Sequence, residues 1–147
     1  VVARYLLDVN VLVALGWRSH LHHGEALAWF RQSRSQGFAT CPLTQLGFIR
    51  LSCNPKFTKD AVKPGEAVAL LDRITALPEH VFWPDQLGCR DAFEGVGLIA
   101  GHQQLTDLYL RGLARANGGV LATFDGSVPS GGEFQAFVEY IGAARTR

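Results

Sequence analysis

Short apolar runs and amphipathic stretches alternate along this chain. Residues 4–8 (RYLLD) read as a buried strand, and residues 9–17 (VNVLVALGW) as a helix ended by polar Arg18-Ser19-His20. A second helix is predicted from about 21 to 35, with Leu27, Phe30 and Arg34 at helical spacing and Gly37 as its stop. Residues 38–41 (FATC) form a short strand. After Pro42, residues 43–53 are helical up to Asn54-Pro55. Pro64 suits the first turn of a helix to about Leu77, whose apolar face is Ala67, Leu70, Leu71, Ile74 and Leu77.

Residues 81–83 (VFW) are the third strand candidate, stopped by Pro84. Four glycines interrupt 84–101, which reads as loop with a short helical turn. A helix beginning at 102 or 106 runs to 117, with Leu105, Leu108, Tyr109, Gly112, Leu113 and Ala116 on one face. Asn117-Gly118-Gly119 ends it, and a strand follows at 120–125. The turn-rich stretch Gly126–Gly132 leads to a last strand at about 136–141. Alternating strands and helices with short connections predict an α/β fold, a mostly parallel sheet with helices on both faces. At 147 residues it is read as one domain, 1–147, able to bury roughly 70% of its unfolded surface.

Three aspartates stand out on this frame. Asp8 closes the first apolar run, Asp125 closes the run 120–125, and Asp107 lies at the start of the helix between them. A carboxylate at the end of a buried parallel strand sits at the carboxyl edge of the sheet, where open α/β folds place their sites. Three converging carboxylates repel one another unless a cation holds them, the ordinary arrangement for a divalent metal in phosphoester chemistry. Each also has a plain structural reading. Asp8 could cap the next helix with help from Asn10, Asp107 complements the helix dipole with Arg111 as its i+4 partner, and Asp125 could be a turn residue before Gly126.

Composition narrows the picture. The chain is 48% hydrophobic and 18% charged, below the ~25% charged share of ordinary soluble domains, so extra apolar surface for a subunit or partner, with exposed aromatics such as Trp17 or Trp29, is expected. Lys plus Arg number 14 against 13 Asp plus Glu, a net charge of +1, so bulk charge does not announce a nucleic-acid binder. Cys41, Cys53 and Cys89 form no close pair and read as reduced, buried thiols of a cytoplasmic protein. No apolar run reaches the ~18 residues of a membrane span, and no signal-peptide layout opens the chain. The absence of Met and the start at Val1-Val2 fit a GTG start codon in a bacterial gene.

Two further clusters carry less. His20, His22 and His23 suggest zinc, but no Asp or Cys follows at useful spacing. Arg50, Lys56, Lys59 and Lys63 form a basic stretch, a solvated face or a set of phosphate contacts. His102 could stand beside Asp107 as a phosphate group's partner.

Taken together and in order, the segments LLDVNVLVAL (6–15), CPLTQLGFIRL (41–51), TDLYLRGLA (106–114) and LATFD (121–125) resemble the PIN-domain family, and within it the VapC-type toxins of bacterial toxin–antitoxin pairs. The resemblance runs from residue 4 to about 141. It implies a PIN-like three-layer α/β/α fold and a ribonuclease dependent on Mg²⁺ or Mn²⁺. It also implies an RNA substrate, a cognate antitoxin that holds the protein inactive, and a homodimer. By position it implies Asp8, Asp107 and Asp125 as catalytic and metal-binding residues, with Asn10, Gln45 and Thr123 in support; His102 and Arg50, read from the residues alone, are candidate phosphate contacts. One departure matters: where many members of the family carry a glutamate in segment 43–51, this chain has Gln45. An amide brings no charge and is a poorer ligand for a hard cation. The alternative is therefore a catalytically weak or inactive RNA-binding or regulatory module. A phosphotransferase using Asp8 as nucleophile ranks lower, because position 10 is Asn and no lysine follows at a suitable strand end.

Overall fold

In the computed structural model, which describes residues 2–94, 105–126 and 137–142, five strands make one sheet. They are Tyr5–Leu7 (β1), Phe38–Thr40 (β2), His80–Phe82 (β3), Val120–Thr123 (β4) and Val138–Tyr140 (β5). Their order is β3-β2-β1-β4-β5, and every pairing is parallel. The chain builds outward from β1 to β2 and β3, then returns to lay β4 on the other side of β1. That reversal makes the gap between β1 and β4 the switch point of the sheet, where the strand ends open a crevice.

Among the described residues six helices connect the strands: Val9–Gly16 (α1), His23–Ser33 (α2), Pro42–Ser52 (α3), Pro64–Thr75 (α4), Cys89–Ala92 (α5) and Leu105–Ala116 (α6). Strand side chains alternate between two cores. Leu6, Ala39 and Leu121 face one that includes Ala92 of α5 and Leu110 and Leu113 of α6. Tyr5, Leu7, Phe38, Val120 and Ala122 face the other, with Val11 and Leu12 of α1, Phe30 of α2, Phe48 of α3 and Leu71 of α4. The result is the three-layer α/β/α arrangement, with a sheet buried on both faces as parallel sheets require. No helix among the described residues is long and apolar enough to cross a membrane.

Two helix starts follow from local chemistry. Pro42 opens α3 instead of preceding it, because its missing N–H falls where no intrahelical bond is needed. Thr44 then caps that end, its Oγ1 accepting from Cys41 N at 3.0 Å. Pro64 opens α4 in the same way, with Glu66 Oε1 accepting from Lys63 N at 3.2 Å.

Several expectations shift. The buried face of α2 is Ala26, Phe30 and Ser33, while Leu27 is half-buried. The strand expected at 81–83 is His80–Phe82, although Trp83 N still donates to Thr40 O at 2.9 Å. Helix α6 is buried through seven consecutive residues, Leu108 to Ala114, while Leu105 and Ala116 are exposed. It lies between the sheet and α5, so both of its sides meet protein. The contact with α5 is close enough that a Cβ on Gly112 would fall on the Ala92 carbonyl oxygen. At the other layer, a Cβ on Gly47 of α3 would stand 2.5 Å from Val9 Cγ2, so glycine lets α3 press against the first turn of α1. The turn-rich stretch after Gly126 lies outside the described residues.

Candidate active site

Asp8 follows β1 directly and takes the extended backbone (φ −62°, ψ 157°) of a helix N-cap. Its Oδ1 accepts from Val9 N at 2.8 Å, which satisfies one of the unpaired donors at the start of α1. The capping share expected of Asn10 therefore falls to Asp8, the residue with cap geometry; Asn10 is exposed in the first turn of α1. The second oxygen is also engaged. Thr123 Oγ1, at the end of β4, donates to Asp8 Oδ2 at 2.7 Å. The same hydroxyl accepts from Asp125 N at 3.0 Å, and Asp8 N donates to Ala122 O at 3.0 Å. One threonine thus ties the ends of β1 and β4 together across the switch point.

Asp107 enters from the other layer, in the first turn of α6. Burial raises its pKa, and the charges of Asp8 and then Asp125 raise it further, to about 7. Asp8 is also shifted upward. Burial is the main cause and the Asp125 charge adds to it, against the lowering effect of the Thr123 and Val9 hydrogen bonds. The three aspartates, from three separate elements, are therefore within electrostatic reach of one another. No group of three His, Cys, Asp or Glu side chains among the described residues stands close enough to hold a metal ion, so the coupling acts at longer range. As a donor set the three offer only carboxylate oxygens, the chemistry a hard divalent cation prefers. Their mutual repulsion is what such a cation would relieve. Arg111, one turn along α6 from Asp107, is 1% exposed and the largest of the fully buried side chains.

The other residues predicted for the site fall in different places. Gln45 is half-buried on α3, and its Nε2 donates to Thr40 Oγ1 at 3.0 Å. That hydroxyl lies 2.7 Å from His80 Nε2, so Gln45 heads a polar chain running into the β2–β3 side of the sheet. Arg50 is exposed in the last turn of α3, five residues on and so about 7.5 Å farther along the axis. His102 lies outside the described residues. A cavity of about 470 Å³ between α3, α6 and the segment after β3 is lined by Leu43, Leu87, Phe93, Leu105, Thr106 and Tyr109. The Tyr109 hydroxyl bonds Asp85 Oδ1 at 3.1 Å and Leu87 O at 2.9 Å, holding the segment after β3 against α6.

The histidine cluster is not gathered around a common point. His22 Nδ1 is 2.7 Å from Glu25 Oε1, His20 Nδ1 accepts from His22 N at 3.0 Å, and His23 Nδ1 is 2.7 Å from Ala14 O. Trp17 and Trp29, expected to be exposed, are half-buried because their indole N–H groups find partners. Trp17 donates to Ser52 Oγ and Trp29 to Glu139 Oε2, each at 2.9 Å, and Trp29 packs edge-on against Tyr5. All three cysteines are free; Cys41 is buried, but Cys53 is half-buried and Cys89 exposed, so only one is the buried thiol expected.

Fold and site together define a doubly covered parallel α/β protein with Asp8 and Asp125 at its switch point and Asp107 within electrostatic reach of both. The PIN domain family model matches residues 5–129, and the chain belongs to that family. It is homologous to several ribonucleases of Mycobacterium tuberculosis. Ribonuclease VapC39 is 42% identical over 130 residues, covering 84% of this chain and 89% of the relative. Ribonuclease VapC38 is 45% identical over 123 residues, covering 84% and 86%. Among solved structures, VapBC2 from Rickettsia felis, bound to a DNA fragment from its promoter, superposes with a TM-score of 0.61 at 16% identity, covering 94% of this chain and 98% of that one. Mycobacterium tuberculosis VapC20, a Sarcin-Ricin loop cleaving toxin, gives 0.59 at 16% identity, covering 94% and 99%. These two likenesses bear on the fold.

Proposed function

We propose that this protein is an endoribonuclease dependent on Mg²⁺ or Mn²⁺, the toxin of a toxin–antitoxin pair, with Asp8, Asp107 and Asp125 as its catalytic and metal-binding residues. The observation that carries the reading is the coupling of three carboxylates at the switch point. Capping accounts for Asp8 alone. It gives no reason for Asp107, on the opposite layer, to sit where burial, and after it the charges of Asp8 and Asp125, raises its pKa to about 7. Homology to the VapC ribonucleases supports the same conclusion independently.

Each residue has a physical task. The Val9 N–H and the Thr123 hydroxyl fix the rotamer of Asp8, so its remaining lone pairs keep one direction. Thr123 also sets the backbone at Asp125. Asp107 can hold or release a proton near neutral pH while no cation is bound. A divalent cation, when bound by these carboxylates, supplies the positive charge that the site lacks and that a phosphodiester needs for in-line attack by water. Asn10 and Gln45 are supporting groups that bring no charge. Exposed Leu43 and Leu46 on α3 and Leu105 on α6 offer apolar surface for an antitoxin or a second copy of the chain.

The test is incubation of the purified protein with total cellular RNA in Mg²⁺, Mn²⁺ or EDTA, followed by end mapping. Internal cuts that need the metal support the reading. RNA that is bound but never cut would make the protein a non-catalytic RNA-binding module, the outcome that the charge-free Gln45 keeps open. Growth arrest on expression, relieved by the neighbouring small gene, tests the toxin part.

A further inference from the structure

Four aromatic rings form a continuous row that ends beside the acidic site. Phe57, in the loop after α3, has its centroid 6.4 Å from that of His20. His20 is 5.8 Å from His22, and His22 lies 5.1 Å from Phe124 with the two rings within 25° of parallel. Phe124 immediately precedes Asp125. The row is assembled from three segments distant in sequence: the loop after α3, the turn before α2 and the end of β4. No ring in it is fully buried, and Phe57 is 41% exposed. The contacts at His20 are tilted by 37° and 46°, not closed face to face.

The surroundings suit a polyanion with flat bases. A cavity of about 240 Å³ opens under His20 and Phe57, with Val13, Trp17 and Ser52 in its wall. Arg18, Lys56 and Lys59, all exposed, lie in the same two loops as these rings. Burial, with His22 and His23 adding to it, lowers the pKa of His20, so this central ring is neutral at pH 7 and presents a π surface. Glu25, the carboxylate in contact with His22, is engaged by the Nδ1 of that ring at 2.7 Å. The hydrolytic chemistry of the three aspartates makes no use of these rings.

We propose that the row Phe57–His20–His22–Phe124 is a stacking track for the bases of single-stranded RNA, leading the strand over the start of α2 to the carboxylates. The inference rests on the ribonuclease reading of that site and names the form of RNA it takes. Aromatic faces hold unpaired bases of any sequence, whereas the bases of a duplex are already stacked and cannot reach them. Arg18, Lys56 and Lys59 hold the phosphates alongside. The track therefore selects for strandedness, and sequence preference comes from elsewhere.

Fluorescence anisotropy in EDTA measures binding without cleavage. The probes are a labelled oligoadenylate of about 12 nucleotides, an abasic RNA of the same length and a duplex. His22→Ala and Phe57→Ala should each weaken oligoadenylate binding about tenfold and leave abasic binding unchanged. His22→Phe and Phe57→Tyr, which return a ring, should recover it. If an alanine variant unfolds on heating earlier than the measurement tolerates, His22→Leu and Phe57→Leu keep the volume and remove the ring. With metal present, the ring-deleted variants should raise KM for long single strands and leave kcat unchanged. Equal binding by ring-deleted and native protein, equal loss on the abasic strand, or duplex binding as tight as single-strand binding would each overturn the track. A protein that binds single strands through these rings but cuts nothing in metal would sink the ribonuclease reading and leave the track standing.

Discussion

Thr123 and Asp8, 115 residues apart in sequence, share a 2.7 Å hydrogen bond in the buried seam between β4 and β1. Thr123 is the donor, and its oxygen also accepts from Asp125 N. Replacing it by valine keeps the shape and removes the hydroxyl, leaving one buried oxygen of Asp8 without its donor. Thr123→Val should lower stability by about 1–3 kcal/mol and reduce RNA cleavage, while Thr123→Ser should retain both. Urea unfolding and a cleavage assay check this. A Thr123→Val protein as active and as stable as the native one would detach Thr123 from the site.

Asp8 serves two ends, and two substitutions separate them. Asn is as good an N-cap as Asp, and with its oxygen on Val9 N its Nδ2 can donate to Thr123 Oγ1, reversing that hydrogen bond, so Asp8→Asn should stay within about 1 kcal/mol of native stability. Asp8→Ala loses the cap and the acceptor together and should cost about 1–2 kcal/mol or more. Thermal unfolding of the pair is the measurement. Equal destabilisation by both would mean that the negative charge, and not the hydrogen-bond geometry, holds this seam.

Asp107 should make the metal-free protein sensitive to pH. Its folded pKa is about 7 against an ordinary 3.8, so between these values the native state holds a proton that the unfolded chain has released. Unfolding then liberates a proton, and stability falls as pH rises from about 4 to about 7, levelling off above it. The upward shift of Asp8 has the same sign. A cation needs the ionised carboxylates, so Mn²⁺ affinity should rise over that interval and flatten above about 7. Unfolding and calorimetry across this range test both slopes, and Asp107→Asn should flatten each. Unchanged slopes in that variant would place the proton on another group.

Gln45 is best tested through its partners. With an amide donating to Thr40 Oγ1, the threonine has its own proton free for His80 Nε2, which suits the neutral imidazole that burial favours. A carboxylate at position 45 offers no donor, so Thr40 must turn its proton toward it and His80 Nε2 must donate instead. Gln45→Glu should therefore raise the pKa of His80, visible in an NMR titration of its ring. If position 45 also faces the cation, the same variant should bind Mn²⁺ more tightly. An unmoved His80 would contradict the hydrogen-bond chain, and unchanged Mn²⁺ affinity would remove position 45 from the metal site.

The apolar runs were enough to locate the sheet edge, because a parallel strand buried on both faces ends where its apolar residues end. Asp8 and Asp125 were legible for that reason, whereas Thr123 followed only from the family resemblance. What the sequence could not reveal were contacts between residues far apart along the chain. The Thr123–Asp8 bond is one, and the Thr40 and His80 partners of Gln45 are another. Indole N–H groups with distant acceptors likewise drew Trp17 and Trp29 inward against expectation. Periodicity gave α6 one apolar face, yet its middle is buried all round, since α5 covers the side turned away from the sheet. The aromatic row has no signature in the sequence because its four rings lie in three separate segments.

The central claim is that the coupled aspartates form one catalytic centre, and the rate of RNA cleavage by Asp8→Asn, Asp107→Asn and Asp125→Asn tests it most directly. The comparison is made on one single-stranded substrate in Mn²⁺, with native folding of each variant verified by thermal unfolding. Each substitution removes one charge from the shared site, and each should lower the rate at least about 100-fold. Full activity in any folded variant would contradict the account.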